Sequence, residues 1–453
     1  MTAKLSFMGG AGSVTGANFL LDLGEETIMV DCGLVQEGRF SMEKNCEAFA
    51  YDPSAVGTLF VTHAHADHIG RIPKLVRDGF RGIIYSTPPT RDLAAVMLED
   101  AYHVMASNRE RYSTDTCFEL EDIAAALRLW KTVEYHEPVG LSSGATATFT
   151  DAGHILGSAM VTIERKGKRI AFTGDIGNVP QPLLNPPEAL HDYDYLVMES
   201  VYGDRLHEGV EKRAELLREH LEDTVRKGGT LIIPAFSLER TQGMLFEINN
   251  LFESGAMKPI PVFLDSPLAI RVTGLYKKYT NYLKDAVRAQ IEGGDDVFDF
   301  PRLAMTETAE ASRGIDAVHG AKVIIAGSGM SHGGRILAHE IKYLEDPKTT
   351  LLLVGYQAVG SIGRLLGDGA KKVKILDRQV RVRAKVAQIH GYSGHADRDQ
   401  LVEFVGEGSG RVRQVFVTMG EERSSLFLVQ RLRDYLGVRA VAPELGSSVD
   451  IDL

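Results

Sequence analysis

No apolar run in this chain of 453 residues approaches the ~20 residues that a membrane span needs, and no membrane role is expected. The N-terminus passes directly into Lys4-Leu5-Ser6-Phe7-Met8-Gly9-Gly10, without the charged-then-apolar leader of an exported protein. Cysteine is scarce. Cys32, Cys46 and Cys117 show neither disulfide arithmetic nor zinc-finger spacing, which points to a reducing cytoplasm. A basic coat is also lacking, since the formal net charge is −11. An acidic protein can still carry a local positive groove, and bound metal cations would add charge, so nucleic acid stays open as a partner. With 44% hydrophobic and 25% charged residues the composition is neither disordered nor fibrous. The length suits two or three domains that each bury a core, and the 46 glycines suit a loop-rich α/β enzyme.

What the chain does have is a dense histidine stretch, Val61-Thr62-His63-Ala64-His65-Ala66-Asp67-His68-Ile69-Gly70. It follows the apolar Thr58-Leu59-Phe60-Val61, which reads as a buried strand, and precedes Ile69–Val76, which reads as the start of a helix. Such a turn lies where α/β folds present reactive groups, at the carboxyl ends of strands. A lone histidine in a polar turn carries little, but four ligand-type side chains at this density form a metal site. Imidazole with carboxylate suits zinc, or manganese and iron where oxygen ligands dominate.

Residues 4–31 alternate strand and turn in an antiparallel pattern and end at Asp31, a carboxylate able to fix the tautomer of a histidine ligand. Thr90–Tyr112 has helical periodicity, with Leu93, Val96, Met97 and Val104 on one face and His103 as an ordinary helix histidine. Ala145–Phe149 leads to His154, and a hairpin around Lys166-Gly167 leads to Asp175; both stand at strand ends beside glycines. Together these residues supply two metal sites: His63, His65 and His154 in one, Asp67 and His68 in the other, with Asp175 bridging. Two metals ~3.5–4 Å apart can share a hydroxide and clamp the attacking and leaving oxygens of a phosphodiester.

The ordered set Asp31, His63-x-His65-x-Asp67-His68, His154, Asp175 resembles the metallo-β-lactamase fold, an αβ/βα sandwich whose members include lactamases, glyoxalases, phosphodiesterases and nucleases. Glu199-Ser200-Val201-Tyr202-Gly203 resembles the Glu-Ser-Thr-Tyr-Gly signature of its β-CASP branch, with Val201 in place of threonine. Strand–helix alternation follows: helix Glu211–Lys227, strands at 230–236, 261–267 and 321–326, and a helix opened by Arg240-Thr241-Gln242. This reads as an inserted Rossmann-like β-CASP domain. Gly327-Ser328-Gly329-Met330-Ser331-His332-Gly333-Gly334-Arg335 resembles a family loop, with Gly327 where serine is frequent; lying between strand and helix, its amides suit a phosphate. The segments Thr350–Tyr356 and Gln357–Arg364, and Tyr392-Ser393-Gly394-His395-Ala396-Asp397, also fit the branch.

The resemblance implies a metallo-β-lactamase domain in residues 1–200 and 385–453 around a β-CASP domain at 201–384. It implies a metal-dependent ribonuclease with two zinc ions, manganese being the other candidate, acting on single-stranded RNA in the cytoplasm by a two-metal hydroxide mechanism. A homodimer stays open, and no RNA-binding extension precedes the first strand. His395, whose neighbouring helix Asp397–Val405 would otherwise explain it, is implied as the acid that protonates the leaving oxygen, acting from the insert side of a cleft, with Glu199 as its partner. Asp67 and Asp175 join the catalytic set, Asp31 supports from behind, and Ser328, Gly329, Met330, Gly333, Gly334 and Arg335 form the phosphate or RNA loop. His390 reads as structural, and His332 as either a phosphate contact or a solvated loop residue.

One departure stands out. The family's last motif is a histidine after a strand, but Gln414-Val415-Phe416-Val417 leads to Thr418-Met419-Gly420-Glu421-Glu422, with Met419 in the histidine's place. RNA-processing members use that histidine for the second metal, whereas DNA-processing members carry an apolar residue there. A weak second site is therefore expected, and a DNA nuclease of the same chemistry is one alternative. A non-catalytic RNA-binding or scaffold member is the other, opposed by retention of His63, His65, Asp67, His68, His154 and Asp175.

Overall fold

Strand Thr2–Gly9 alternates in burial, turning Ala3, Leu5 and Phe7 to one face as a half-buried strand must. A computed structural model describes residues 2–36, 41–112, 116–207, 209, 212–355, 357, 360–408 and 410–453. The expected helix start Glu211, strand end Tyr356, and Ala358 and Val359 lie outside the described residues. The described chain divides into two units: residues 1–181, 185–206 and 395–453 in the first, 182–184 and 207–394 in the second.

The first unit holds two seven-stranded sheets. In one, Ser448–Asp452, Thr2–Gly9, Asn18–Asp22 and Thr27–Val30 are antiparallel neighbours; Val56–Phe60, Ile83–Ser86 and Trp130–Thr132 continue in parallel. In the other, Ala440–Val441, Gln414–Val417, Tyr195–Met198 and Lys168–Phe172 run parallel, and Ala159–Arg165, Thr146–Asp151 and Val139–Gly140 complete it antiparallel. The hairpin turn between Ala159–Arg165 and Lys168–Phe172 has positive φ at Lys166 (52°) and Gly167 (76°), the type I′ requirement. Between the sheets, Phe7, Phe19 and Phe60 meet Phe149, Phe172 and Phe416. Burial of each such ring contributes about 1.5–3 kcal/mol. Helices Arg398–Gly408 and Glu422–Leu436 cover the second sheet's outer face through Leu401, Phe404, Leu428 and Leu432. Helices Ile72–Arg77, Pro88–Tyr112 and Leu120–Arg128 gather along the first sheet. The αβ/βα sandwich is the result.

Two readings need correction. Val104 is 55% exposed, because the buried stripe of its helix runs through Ala94, Leu98 and Met105, one residue to the side. Cys46 and Cys117 pair as a disulfide across 71 residues, leaving Cys32 free and buried. Cysteine counting could not expose that pairing, since only the fold brings the helix at 41–46 to the segment before Leu120. Among the described residues no helix is long and apolar enough to cross a membrane.

The second unit is a six-stranded, all-parallel sheet in the order Leu303–Met305, Val262–Leu264, Lys322–Ala326, Thr230–Pro234, Thr350–Val354, Lys385–Ile389. Its central strands are buried throughout, as a sheet covered on both faces demands. Strand Lys385–Ile389, set by the boundary at 385 in the C-terminal part, pairs here with Thr350–Val354, so the chain rejoins the first unit only at His395.

Candidate active site

Strands of the two sheets of the first unit end at one edge and deliver the polar residues there. Asp31 follows Thr27–Val30, the histidine stretch follows Val56–Phe60, and His154 comes three residues after Thr146–Asp151; Asp175, Glu199 and Met419 follow Lys168–Phe172, Tyr195–Met198 and Gln414–Val417. The expected single helix after the histidines is two short ones, Ala66–Ile69 and Ile72–Arg77, which puts Asp67 and His68 on the first.

Three ring nitrogens converge. His65 Nδ1 lies 3.1 Å from His63 Nε2 and 3.2 Å from His154 Nε2, and Asp175 Oδ2 lies 3.3 Å and 3.5 Å from those two Nε2 atoms. Burial and the neighbouring His68 lower the pKa of His63; burial with His63 and His154 holds His65 well below the usual imidazole range. His63 and His65 are therefore uncharged at neutral pH, and the three ring nitrogens converge beside a carboxylate. Asp175 itself stays ionised: burial opposes the charge, but His68 and His63 outweigh it and hold its pKa well below the usual range. Such a donor set fits a zinc-type cation.

A second group adjoins it. His68 Nε2 lies 3.3 Å from Asp175 Oδ1 and 3.9 Å from Asp67 Oδ2. Among the described residues, His68 Nε2 and Asp175 Oδ1 are buried without a hydrogen-bond partner. Orphaned atoms of this kind are costly unless something absent satisfies them, and a cation fits both. Asp31 takes the other side of the ring, 2.7 Å from His68 Nδ1, and its carboxylate also accepts bonds from the Thr62 amide and hydroxyl, each at 2.8 Å. Asp31 thus fixes the tautomer that leaves Nε2 facing the site. Burial opposes charge on His68, but Asp175 and Asp31 outweigh it and raise its pKa well above the usual value; a cation could take that proton's place.

Thr62 was not singled out by sequence, though it directly precedes the histidines. Its hydroxyl lies 3.0 Å from His63 Nδ1 as well as bonding Asp31. Gly174, one of the glycines expected beside Asp175, does allow a close approach: at φ 53°, a Cβ there would fall 2.7 Å from the Thr62 Cβ. A side chain would push Thr62 off the histidines.

His395 Nδ1 stands 3.3 Å from Glu199 Oε1 and 3.9 Å from Asp175 Oδ2, with its ring centroid 4.6 Å from that of His154. The Ile176 amide (2.6 Å) and Val201 amide (3.3 Å) bind the two oxygens of Glu199. Burial works against a charge on His395, but Glu199 and then Asp175 outweigh it and push the pKa up to about 9. Asp397 accepts from the amides of Asp399 and Gln400 and so caps the following helix.

Met419 is 2% exposed and has φ 46°; its amide donates to Gly10 O at 2.6 Å, and it lines a small cavity with Asp31, His68, Gly174 and Glu199. The loop Ser328–Arg335 lies in the second unit and is closed on itself. Ser328 Oγ accepts from the His332 and Gly333 amides, Ser328 N donates to Gly333 O, and Ser331 N to Ser328 O. Gly329 O accepts from Gln357; Met330 O accepts from Gly363 N; at Gly334, φ is 73° and a Cβ would strike Gly327 O at 2.4 Å. Arg335 pairs with buried Asp265 at 2.7 Å and with the carbonyls of Thr306 and Glu307. A phosphate role for Arg335 would have to break those bonds. His103, His332 and His390 are exposed.

Three family models match the chain: a metallo-beta-lactamase superfamily domain at residues 20–194, a Beta-Casp domain at 241–366, and a Zn-dependent metallo-hydrolase RNA specificity domain at 379–443. Ribonuclease TTHA0252 of Thermus thermophilus is 37% identical over 421 residues, 93% of this chain and 94% of that protein. An RNase J-like protein of Methanocaldococcus jannaschii is 30% identical over 452 residues, 99% of each. Transcription termination factor FttA of Methanosarcina mazei is 29% identical over 457 residues, 97% of this chain and 70% of its own. A crystal structure of a protein of unknown function from Enterococcus faecalis superposes with TM-score 0.59 at 12% identity over the whole of both chains, a likeness of fold.

Proposed function

The chain belongs to the β-CASP family of metallo-β-lactamase-fold hydrolases, and from that premise we propose that it is a metal-dependent ribonuclease hydrolysing the phosphodiester bonds of single-stranded RNA. The observation that carries the reading is the convergence of His63, His65 and His154 on Asp175.

His63, His65, His154 and Asp175 would hold one zinc ion; Asp67, His68 and Asp175 would hold a second zinc or manganese ion. Bound there, the metals supply Lewis acidity and an activated nucleophile for attack on phosphorus. Asp31 holds His68 in the tautomer that leaves Nε2 available. His395, kept charged by Glu199, gives its proton to the leaving oxygen. The inferred setting is the cytoplasm, where thiols would act on the Cys46–Cys117 bond.

Met419 favours a second reading, a DNA nuclease, because an apolar side chain replaces an imidazole beside His68 and Asp31. Cleavage of an end-labelled RNA and a DNA strand of the same sequence, at equal metal, separates the two. Faster cleavage of the RNA is expected, and faster cleavage of the DNA would overturn the ribonuclease reading.

A further inference from the structure

Helix Glu422–Leu436 buries Ser424, Ser425, Leu428, Val429 and Leu432. Its opposite face carries Arg423, Phe427, Arg431 and Tyr435, spaced four residues apart and hence aligned along one stripe of the helix. Phe427 is 38% and Tyr435 68% exposed, and among the residues whose side chains are described no other Phe, Tyr or Trp is exposed. These two rings stand open on one face, with a guanidinium between them. Arg431 lies 5.4 Å from the Phe427 centroid and 4.8 Å from that of Tyr435. Beside Leu426, also 52% exposed, this is a cationic and aromatic surface on a protein of net charge −11.

The stripe begins at the candidate active site. Ser424 Oγ donates to Ser200 O at 2.6 Å, next to Glu199, and Arg423 Nε lies 3.8 Å from Asp204. From Arg423 to Tyr435 it runs roughly 18 Å along the helix, at 1.5 Å per residue. Arg398, at the start of the neighbouring helix, pairs with Asp399 at 2.7 Å, and Arg431 lies close enough to act on that carboxylate. Phosphates would be drawn to the arginines and bases would stack on the rings, a combination suited to single-stranded nucleic acid of any sequence.

We infer that Arg423, Phe427, Arg431 and Tyr435 form a stacking platform that holds single-stranded RNA outside the catalytic centre and favours long substrates over short ones. The proposal rests on the ribonuclease reading for its substrate, but its binding test is independent of cleavage.

The experiment compares wild type with Tyr435→Leu, Tyr435→Phe and Arg431→Gln, all on the surface and checked for an unchanged melting temperature. Binding of a fluorescein-labelled phosphorothioate oligouridine of about 24 nucleotides is measured by anisotropy, and cleavage is measured on oligouridines of about 24 and about 6 nucleotides, the shorter being about one minimal site size. Tyr435→Leu should weaken binding of the long oligomer roughly fivefold or more and raise its KM equally, since stacking on one ring is worth ~1–3 kcal/mol. Cleavage of the short oligomer should not change, and Tyr435→Phe should restore the long-oligomer values. Arg431→Gln should lower the salt slope of binding by about 0.7, the share of one phosphate contact. Unaltered long-oligomer binding in Tyr435→Leu and Arg431→Gln would overturn the platform. So would a change from dimer to monomer in sedimentation with RNA binding intact, which would make the stripe a protein interface. If wild type binds the long oligomer through the stripe yet cleaves neither RNA, the ribonuclease reading fails while the platform stands.

Discussion

His395 Nδ1 lies 3.3 Å from Glu199 Oε1, two residues that are 196 positions apart in the chain. The pairing holds a charged imidazole near neutral pH, in spite of burial, because the carboxylates of Glu199 and Asp175 outweigh the desolvation. His395→Ala should leave metal content unchanged and slow RNA cleavage by roughly 10²–10⁴-fold, the usual worth of general acid catalysis. A substrate whose leaving group needs no proton should be far less affected. Equal slowing on both substrates would make His395 a positioning residue.

The same pair sets a pH dependence. With a pKa of about 9, above the ordinary 6.5, His395 is the protonated acid at neutral pH, so activity should fall as pH rises through about 9. The stability it contributes has the same sign: fully present below 6.5, and lost as pH rises through about 9. Glu199→Gln should move the alkaline fall in kcat/KM to lower pH. An unmoved limb in that variant would break the link.

Asp31 predicts a loss at a distance. Its carboxylate touches His68 Nδ1 rather than the face that would meet a cation. Asp31→Ala should therefore lower second-site metal affinity or activity about 10–100-fold, the typical effect of removing a ligand's outer partner. Calorimetric metal titration of the variant checks it, with an unaltered curve as the contrary result.

Met419 should make the second site labile, because a thioether is a soft, weak ligand beside oxygen donors. Wild-type activity should rise on added zinc or manganese, and Met419→His should reduce that dependence. The substitution suits the backbone, since φ at 419 is 46° and histidine is among the residues that tolerate the left-handed region. Calorimetry of both proteins decides it. Two equally tight metals in the wild type would show that another group serves there.

The Cys46–Cys117 bond predicts a thermal effect. Opening a loop of 71 residues should cost about 2–4 kcal/mol, so Cys46→Ser should melt lower than wild type in non-reducing buffer. In dithiothreitol the difference should vanish. Equal melting of both proteins without reductant would show that the bond contributes nothing.

Legibility followed the reach of local pattern. His63, His65, Asp67 and His68 could be read because four ligand types fall within six positions; His154, Asp175 and Glu199 could be read because each follows a strand pattern, and the family resemblance ordered them. Thr62 was not legible, because a threonine beside histidines has no signature until its hydroxyl is seen against Asp31 and His63. Gly174 was legible as a glycine beside Asp175, but the Thr62 side chain that it faces was not, and Cys46 needed the fold that carries it to Cys117. Arg335 shows the converse: a glycine-rich loop before a helix suits phosphate in sequence, yet buried Asp265, 70 residues away, has taken its guanidinium. Val104 fits its helix's periodicity but not the surface on which that helix rests.

The most direct measurement is RNA hydrolysis by metal-stripped protein as zinc is added back, run in parallel for wild type and Asp175→Asn. Wild type should be inactive when stripped and regain activity as zinc is added, reaching its full rate only with zinc in excess of two equivalents because the second site is labile; Asp175→Asn, folded by its melting curve, should stay inactive at every zinc level. Full activity in Asp175→Asn, or full activity of the stripped wild type, would contradict the assignment of hydrolysis to a metal centre built on His63, His65, His154 and Asp175.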